Sequence, residues 1–247
     1  MGAAAKLMFT LLLSLLFLAP EEFPKGEAVL ARFVEVTGGR AAYEQVRGSI
    51  SKGTIAMAGQ NLKGTMTVYE SEPSRQLTVV EFPGIGRMEE GTDGVIAWSS
   101  SALEGARLKE GEEKALTLRS ATGQRKFLDW KKLFKSVETT GIENVDGKPC
   151  YKVVLTPLTG KPDTEYYDKA SGLLVKETAT VVMPMGEVPV SMAIGGYRKE
   201  GAILLPHSLQ QSLAGQRIDI TIESVSINPE FPPKRFDPPA DVKALIK

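Results

Sequence analysis

The feature that most constrains the fold of this chain is a change of hydrophobic period at Gly48. From Glu27 to Thr37 apolar residues recur at helical spacing, and Gly38-Gly39 ends the predicted helix. After Gly48 apolar and polar residues alternate with a period of two, in short segments separated by turn residues. Asp93-Gly94 and Asp146-Gly147 are typical of tight hairpin turns, because both turn positions need a positive φ. The pattern therefore predicts a helix followed by an antiparallel meander.

One segment interrupts the strand pattern. From about Glu110 to Val137 helix-forming residues dominate, and Phe127, Trp130 and Phe134 share one face of a predicted amphipathic helix. Such a helix either packs on the sheet as plain scaffold, or serves as a lid over an apolar cavity or as a membrane-surface contact.

The expected architecture follows from the number of strands. About ten or eleven antiparallel strands are predicted, and a meander of that length either closes into a barrel or curls around something that fills its concave face. We therefore expect a mainly β (α+β) fold. It would be a curled antiparallel sheet or unclosed β-barrel, with the N-terminal helix and the helical insertion filling the concave face. Near its end the alternation changes phase at Ser224, which predicts a β-bulge.

The two ends of the chain have distinct patterns. Residues 1–19 are predicted to be a secretory signal peptide, because Lys6 precedes an apolar run from Leu7 to Leu18 that is too short for a membrane span. We therefore expect a periplasmic protein, with an uncleaved membrane anchor as the alternative. The stretch from Pro229 to Pro239 contains five prolines and is expected to be an extended wrap. A single domain is expected over residues 27–240, including this wrap.

Composition argues against several classes of function. The chain carries 30 Lys and Arg residues against 30 Asp and Glu, so no positive excess favours binding to nucleic acid. It has one His and one Cys, whereas a zinc site usually needs about three or four His, Cys or carboxylate ligands. No metal and no cofactor is therefore expected.

Residues that could carry catalysis have ordinary explanations. His207 has no local signature that supplies a nucleophile or an orienting acid, so we interpret it as a surface or edge-strand residue. Cys150 lies in a predicted strand, where a free Cys is usually a small buried hydrophobe. Asp163 and Glu165 alternate on a strand and are expected to be solvated, so a glycosidase-type pair is not supported. We therefore expect that the protein is not an enzyme.

Methionines and aromatic residues mark the expected cavity. The segment from Val181 to Met192 is rich in Met and contains two prolines, which is typical of an edge strand or a flexible hairpin tip. Flexible thioether side chains suit a surface that accepts varied apolar ligands, and ordinary core filling is the alternative. The candidate cavity residues are Met57, Met88, Trp98, Phe127, Trp130, Phe134, Met183, Met185 and Met192.

Several short motifs follow one another in a distinctive order after the Gly-Gly helix stop. They are Gly48-Ser-Ile-Ser-Lys-Gly53, Glu81-Phe-Pro-Gly84, Gly91-Thr-Asp-Gly-Val-Ile-Ala-Trp98, Val145-Asp-Gly-Lys-Pro-Cys-Tyr-Lys-Val-Val-Leu155, Glu165-Tyr-Tyr-Asp168, Ser171-Gly-Leu-Leu174, Ile227-Asn-Pro and Phe236-Asp-Pro-Pro239. In this order they resemble the LolA/LolB-like superfamily of bacterial outer-membrane lipoprotein-sorting proteins, in its broader, mostly uncharacterised branch. The resemblance implies an unclosed β-barrel whose mouth is plugged by helices and whose cavity holds acyl chains.

Taken with this resemblance, the sequence predicts an exported, non-catalytic carrier or sensor of the bacterial cell envelope. It would bind a lipid or an acylated protein, with the acyl chain in an apolar cavity between sheet and helices, and it is expected to be a monomer. The alternative is an envelope protein-interaction module that docks a protein partner through its edge strands, without lipid.

Overall fold

The computed structural model describes residues 23–183 and 186–246. The predicted signal peptide, residues 1–19, lies outside these residues. Within them, no helix combines the length and the apolar character needed to cross a membrane.

The first helix ends where the sequence predicts. Helix α1 spans Gly26–Val36, and the short helix α2 follows at Arg40–Glu44. Between them Gly38 has a φ of 137°, and a Cβ on this residue would lie 2.6 Å from the carbonyl oxygen of Ala202. A side chain is therefore excluded here both by the backbone conformation and by the neighbouring segment.

Most of the remaining chain forms strands. In the described residues these are β1 (Gly48–Met57), β2 (Leu62–Ser71), β3 (Arg75–Phe82), β4 (Gly86–Thr92), β5 (Ala97–Ser101), β6 (Gly105–Lys109), β7 (Phe134–Val145), β8 (Lys148–Pro157), β9 (Asp163–Asp168), β10 (Leu174–Met183), β11 (Gly186–Gly195), β12 (Arg198–Glu200), β13 (Ile203–Leu205), β14 (Ser208–Leu213) and β15 (Gln216–Ile227). Two further helices are α3 (Gly111–Ser120) and α4 (Ala240–Lys243).

The strands confirm the predicted fold class. A 13-stranded antiparallel sheet has the order β6-β5-β4-β3-β2-β1-β15-β14-β11-β10-β9-β8-β7, and β12 and β13 form a separate hairpin. Because β1 pairs with β15, two meanders lie side by side, and the curled sheet ends at β6 and β7 without closing into a barrel. The 15 strands of the described residues exceed the roughly ten or eleven predicted, in part because β12 and β13, with three residues each, are too short to show a period of two.

The predicted β-bulge is also confirmed. The pairing of β1 with β15 shifts register between Lys52 and Gly53, and Lys52 lies opposite Ser224. A Cβ on Gly53 would lie 1.9 Å from the carbonyl oxygen of Thr221, which no side chain can accommodate. Gly53 therefore permits the close approach of the two strands beside the bulge.

The core lies on the face of the sheet that α1 covers. Phe33 of α1 packs against Phe127 and Tyr167, with ring centroids 4.7 and 5.7 Å apart. Buried residues from β7, β8, β10 and β13 complete this cluster: Phe134, Val137, Val153, Leu155, Leu174, Ile203 and Leu205. A second buried cluster belongs to β1–β3 and β15 and consists of Ile55, Met66, Phe82, Ile220 and Ile222.

The opposite face of β2 and β3 is covered by the C-terminal segment. Leu77 and Val79, with Tyr69 beside them, pack against Phe231 and Phe236. The two phenylalanine rings meet edge to face, with centroids 5.1 Å apart. Both belong to the Pro-rich stretch near the C-terminus.

The prediction that one amphipathic helix carries the aromatic residues is wrong. Helix α3 ends at Ser120, two 3-10 turns follow at Gly123–Phe127 and Trp130–Lys132, and β7 already begins at Phe134. The spacing misled the prediction because a 3-10 turn has about three residues and also places residues i and i+3 on one side. Phe127 and Phe134 are nevertheless both buried in the cluster under α1.

Candidate ligand-binding cleft

A cleft of about 220 Å³ lies on the core side of the sheet. Strands β1, β2 and β15 form its floor, with Ser49, Ser51, Met66, Val68, Glu70, Ile222, Val225 and Ile227. Tyr43, Ile203, Leu205 and Leu209 line its sides, and residues 121–125 line it opposite the floor. We name residues 121–127 the roof segment. The lining is mostly apolar, because the strands present one alternating set of side chains to this face.

Glu70 is the charged exception on the floor. It continues the inward-facing series of Met66 and Val68 along β2. The Ser49 hydroxyl donates a hydrogen bond to Glu70 Oε2 (2.9 Å), and Gln76 Nε2 donates to Oε1 (3.3 Å). Burial raises the pKa of the Glu70 carboxyl, and these two hydrogen bonds oppose the shift only in part.

The edge of the cleft carries a small ion-pair network. Arg47 Nη1 lies 2.9 Å from Glu72 Oε2, and the Arg125 guanidinium pairs with the other oxygen of the same carboxylate. Arg125 belongs to the roof segment and Glu72 to the turn between β2 and β3. One carboxylate therefore ties the roof segment to the sheet.

A second tie is formed by the next residue of the roof segment. Lys126 Nζ lies 2.9 Å from Glu165 Oε1 and 3.2 Å from Glu177 Oε1. The Tyr167 hydroxyl donates to the other oxygen of Glu165. Burial alone would lower the pKa of Lys126, but the two carboxylates together raise it well above its usual range. Lys126 is therefore held charged, and it joins the roof segment to β9 and β10.

The expectation that Asp163 and Glu165 are solvated is wrong for Glu165. Its exposed fraction is 3%, and burial raises the pKa of its carboxyl while Lys126 opposes that shift. Asp163 is partly exposed and pairs with Arg119 Nη2 at 3.1 Å. The sequence could not identify these partners, because Arg119 of α3 lies 44 residues from Asp163 and Lys126 of the roof segment lies 39 residues from Glu165.

The structure does not gather the nine candidate cavity residues into one site. Those whose side chains are described do not line the cleft. Met57 ends β1 beside the second cluster, Met192 is half-buried on β11, and Met88 is exposed on β4. Trp98 is fully buried in β5 and Phe134 in the cluster under α1. Met183 ends β10, and Met185 lies outside the described residues.

Two of the candidates do meet at a surface groove. Phe127 and Trp130 line a groove of about 830 Å³ between α1 and the 3-10 turns, together with Val34 and Leu128. Trp130 is half-buried there, and Lys131 Nζ lies 5.4 Å from the centroid of its ring system. A role of these residues in binding stays a prediction.

The single His and Cys are both inside the fold. His207 is 2% exposed, with Nδ1 3.2 Å from the Leu205 carbonyl oxygen and Nε2 2.9 Å from Glu200 Oε1, so its interpretation as a surface residue is wrong. Cys150 is buried as predicted, and burial raises the pKa of its thiol. In the described part of the chain, no three His, Cys, Asp or Glu side chains are grouped so that they could hold a metal ion.

Comparison with known proteins gives matches in structure only. The sequence matches no protein-family model and no curated protein. A DUF1329 family protein from Desulfovibrio piger is 15% identical, with a TM-score of 0.58 over 86% of this chain and 95% of that chain.

Two further solved structures have the same architecture. An outer membrane lipoprotein-sorting protein domain from Vibrio parahaemolyticus is 12% identical, with a TM-score of 0.55 over 86% of this chain and 97% of that chain. A LolA superfamily protein from Nitrosomonas europaea is 11% identical, with a TM-score of 0.57 over 87% of this chain and 99% of that chain. At such identities the likeness concerns the fold alone. The chain therefore has the LolA-like fold.

Proposed function

We propose that the protein is a non-catalytic carrier or sensor of the bacterial cell envelope that binds the acyl chain of a lipid or of an acylated protein. The observation that carries this proposal is the cleft between the sheet and the roof segment, with its mostly apolar lining. An acyl chain gains about 0.8 kcal/mol for each CH₂ group that it buries against such a surface. The LolA-like fold supports the proposal by analogy, and the predicted signal peptide supports a periplasmic location.

Binding of an acyl chain in a cleft of this size would require a movement of the roof segment. A volume of about 220 Å³ lies below the range of about 300–1,000 Å³ that is typical of ligand pockets. An acyl chain therefore requires the roof segment to shift away from the floor. The ion pairs of Arg125 with Glu72 and of Lys126 with Glu165 are the contacts that such a shift would break.

A cleft-filling variant tests the proposal. Ser51 lines the floor on β1, whereas Thr54 on the same strand is exposed and outside the cleft. We expect Ser51→Phe to abolish most uptake of a fluorescent fatty acid, while Thr54→Phe leaves it unchanged. A wild-type protein that takes up no probe and carries no lipid in a native mass spectrum would refute the carrier. Equal uptake by both variants would place binding outside the cleft.

The second candidate function is the protein-interaction module, for which the edge strand β7 would be the docking surface. This strand, Phe134–Val145, is 12 residues long and pairs with β8 on one side. It also contains two register shifts and exposed charges at Lys135 and Glu138, which are features that discourage strand addition. A stoichiometric protein partner that binds the delipidated protein would favour this second function over the carrier.

A further inference from the structure

Glu70 places a negative charge inside an apolar cleft without a cation to match it. In the described residues its polar partners are the Ser49 hydroxyl and the Gln76 amide, both neutral. The guanidinium groups of the cleft lining, those of Arg47 and Arg125, are paired with Glu72 instead.

The position of Glu70 is fixed by the sheet. Ser49, Glu70 and Gln76 lie directly opposite one another on β1, β2 and β3. On the roof side, a Cβ built on Gly123 would lie 3.5 Å from Glu70 Oε1, so the carboxylate lies close beneath the roof segment. Its oxygens are therefore held between floor and roof, where a ligand in the cleft would contact them.

Removing a carboxylate from water without a matching cation is unfavourable, and this desolvation raises the pKa of Glu70, whose side chain is half-buried. The fold does not require a carboxylate at position 70, since the oxygen of a neutral side-chain amide could accept the same hydrogen bond from Ser49. A ligand that donates to the carboxylate would offset the cost. A head group with positive charge and N–H donors does so most strongly, because charge-assisted hydrogen bonds exceed neutral ones.

We propose that the cleft selects amphiphiles with a primary ammonium head group, which donates hydrogen bonds to Glu70 while the apolar chain lies along Met66, Val68 and Ile222. This inference rests on the proposed function and specifies its ligand class. An anionic head group is disfavoured beside Glu70, because like charges repel in a site of low dielectric constant. The positive charge of Arg47 competes little, since its side chain is mostly exposed to solvent.

A panel of single-chain amphiphiles tests this selection. Dodecylamine, dodecanol and dodecanoate share one chain length and differ in the head group, and each is titrated at neutral pH against a neutral naphthylamine probe bound to the purified protein. We expect dodecylamine to displace the probe at a concentration about tenfold lower than dodecanol, with dodecanoate weakest. Lysophosphatidylethanolamine and an acylated lysine peptide then distinguish a lipid from an acylated protein as the source of the ammonium group.

The variant Glu70→Gln assigns the selection to this side chain. It should lower the affinity for dodecylamine to that for dodecanol and leave dodecanol binding unchanged. The matched control Glu223→Gln, at an exposed position of β15, should change neither affinity. The inference is overturned if the wild type binds dodecylamine and dodecanol equally or prefers dodecanoate. It is also overturned if Glu70→Gln keeps the preference for the amine. None of these results contradicts the proposed carrier function. The order of the wild-type affinities for the three amphiphiles tests the inferred selection even if Glu70→Gln does not fold. Failure of every amphiphile to displace the probe would instead refute the proposed function.

Discussion

The ammonium nitrogen of Lys126 lies 2.9 Å from a carboxylate oxygen of Glu165, and this buried ion pair fastens the roof segment to β9. Its neighbour in the chain, Arg125, pairs with Glu72 beside β2. Two consecutive residues thus tie the roof segment to the two different meanders of the sheet. The stability of the closed cleft should therefore depend on them.

Lys126→Met should destabilise the protein strongly. The substitution leaves Glu165 and Glu177 buried or half-buried without their cation, and removing one partner of a buried pair costs about 3–5 kcal/mol. We expect a loss of about 3 kcal/mol in the free energy of unfolding, at the lower end of this range because Lys126 keeps some exposure. Urea denaturation measures this loss.

The matched control for this variant is Lys132→Met. Lys132 forms an exposed ion pair with Asp129, and such pairs contribute only about 0–1 kcal/mol. Equal losses in Lys126→Met and Lys132→Met would contradict a special role for the buried pair.

Gly53→Ala should disrupt the junction of the two meanders. The new Cβ would lie 1.9 Å from the Thr221 carbonyl oxygen, a backbone atom that cannot move without disturbing β15. Overpacking typically costs about 1–3 kcal/mol, and the clash with a backbone atom places this variant at the upper end of that range. Gly59→Ala is the control, since nothing lies within 4 Å of its Cβ position, and it should stay within about 0.5 kcal/mol of wild type. Thermal unfolding should give a lower midpoint temperature for Gly53→Ala than for Gly59→Ala. Equal midpoints would mean that β1 and β15 can move apart at Gly53 with little loss of stability.

The parts of the fold that the sequence predicts are those with a local cause. The Gly-Gly stop ends α1, period-two alternation marks the strands, and the change of phase at Ser224 coincides with the bulge. The pairing of β1 with β15 has no local signal, because strands from opposite ends of the chain meet only in the finished sheet. The cleft is built on that pairing, so its lining could not be predicted.

The candidate site could likewise be predicted only where the sequence carries a local signal. Residue type alone points to Met and aromatic residues, yet Met88 is exposed and Trp98 is buried away from the cleft lining. Glu70 was missed although a signal was present. It occupies the same parity as Met66 and Val68 on β2, and a charged residue in an inward-facing series is informative.

Phe127 and Trp130 should contribute unequally to stability. Phe127 is buried against Phe33, so Phe127→Ala should cost about 3–5 kcal/mol. Trp130 is half-buried at the surface groove, so Trp130→Ala should cost about 1–3 kcal/mol, below that core range. Urea denaturation separates the two, and a core-sized loss in Trp130→Ala would contradict this order. If Trp130 also takes part in binding, as the sequence predicts, its variant weakens uptake of an apolar probe.

The pH dependence of stability should report the half-buried carboxyl of Glu70. Burial raises the pKa of this group, so the native state binds its proton more tightly than the unfolded state does. The contribution of this carboxyl to the free energy of unfolding is therefore greatest under acidic conditions. It is lost as pH rises from the ordinary glutamate pKa of about 4.3 through the raised pKa of the native state. Glu70→Gln has no such proton, so its stability relative to wild type should increase across this interval. Urea denaturation of both proteins at a series of pH values measures the difference, and a difference that is constant with pH, or that falls as pH rises, would show that the carboxyl is not held in an unfavourable site.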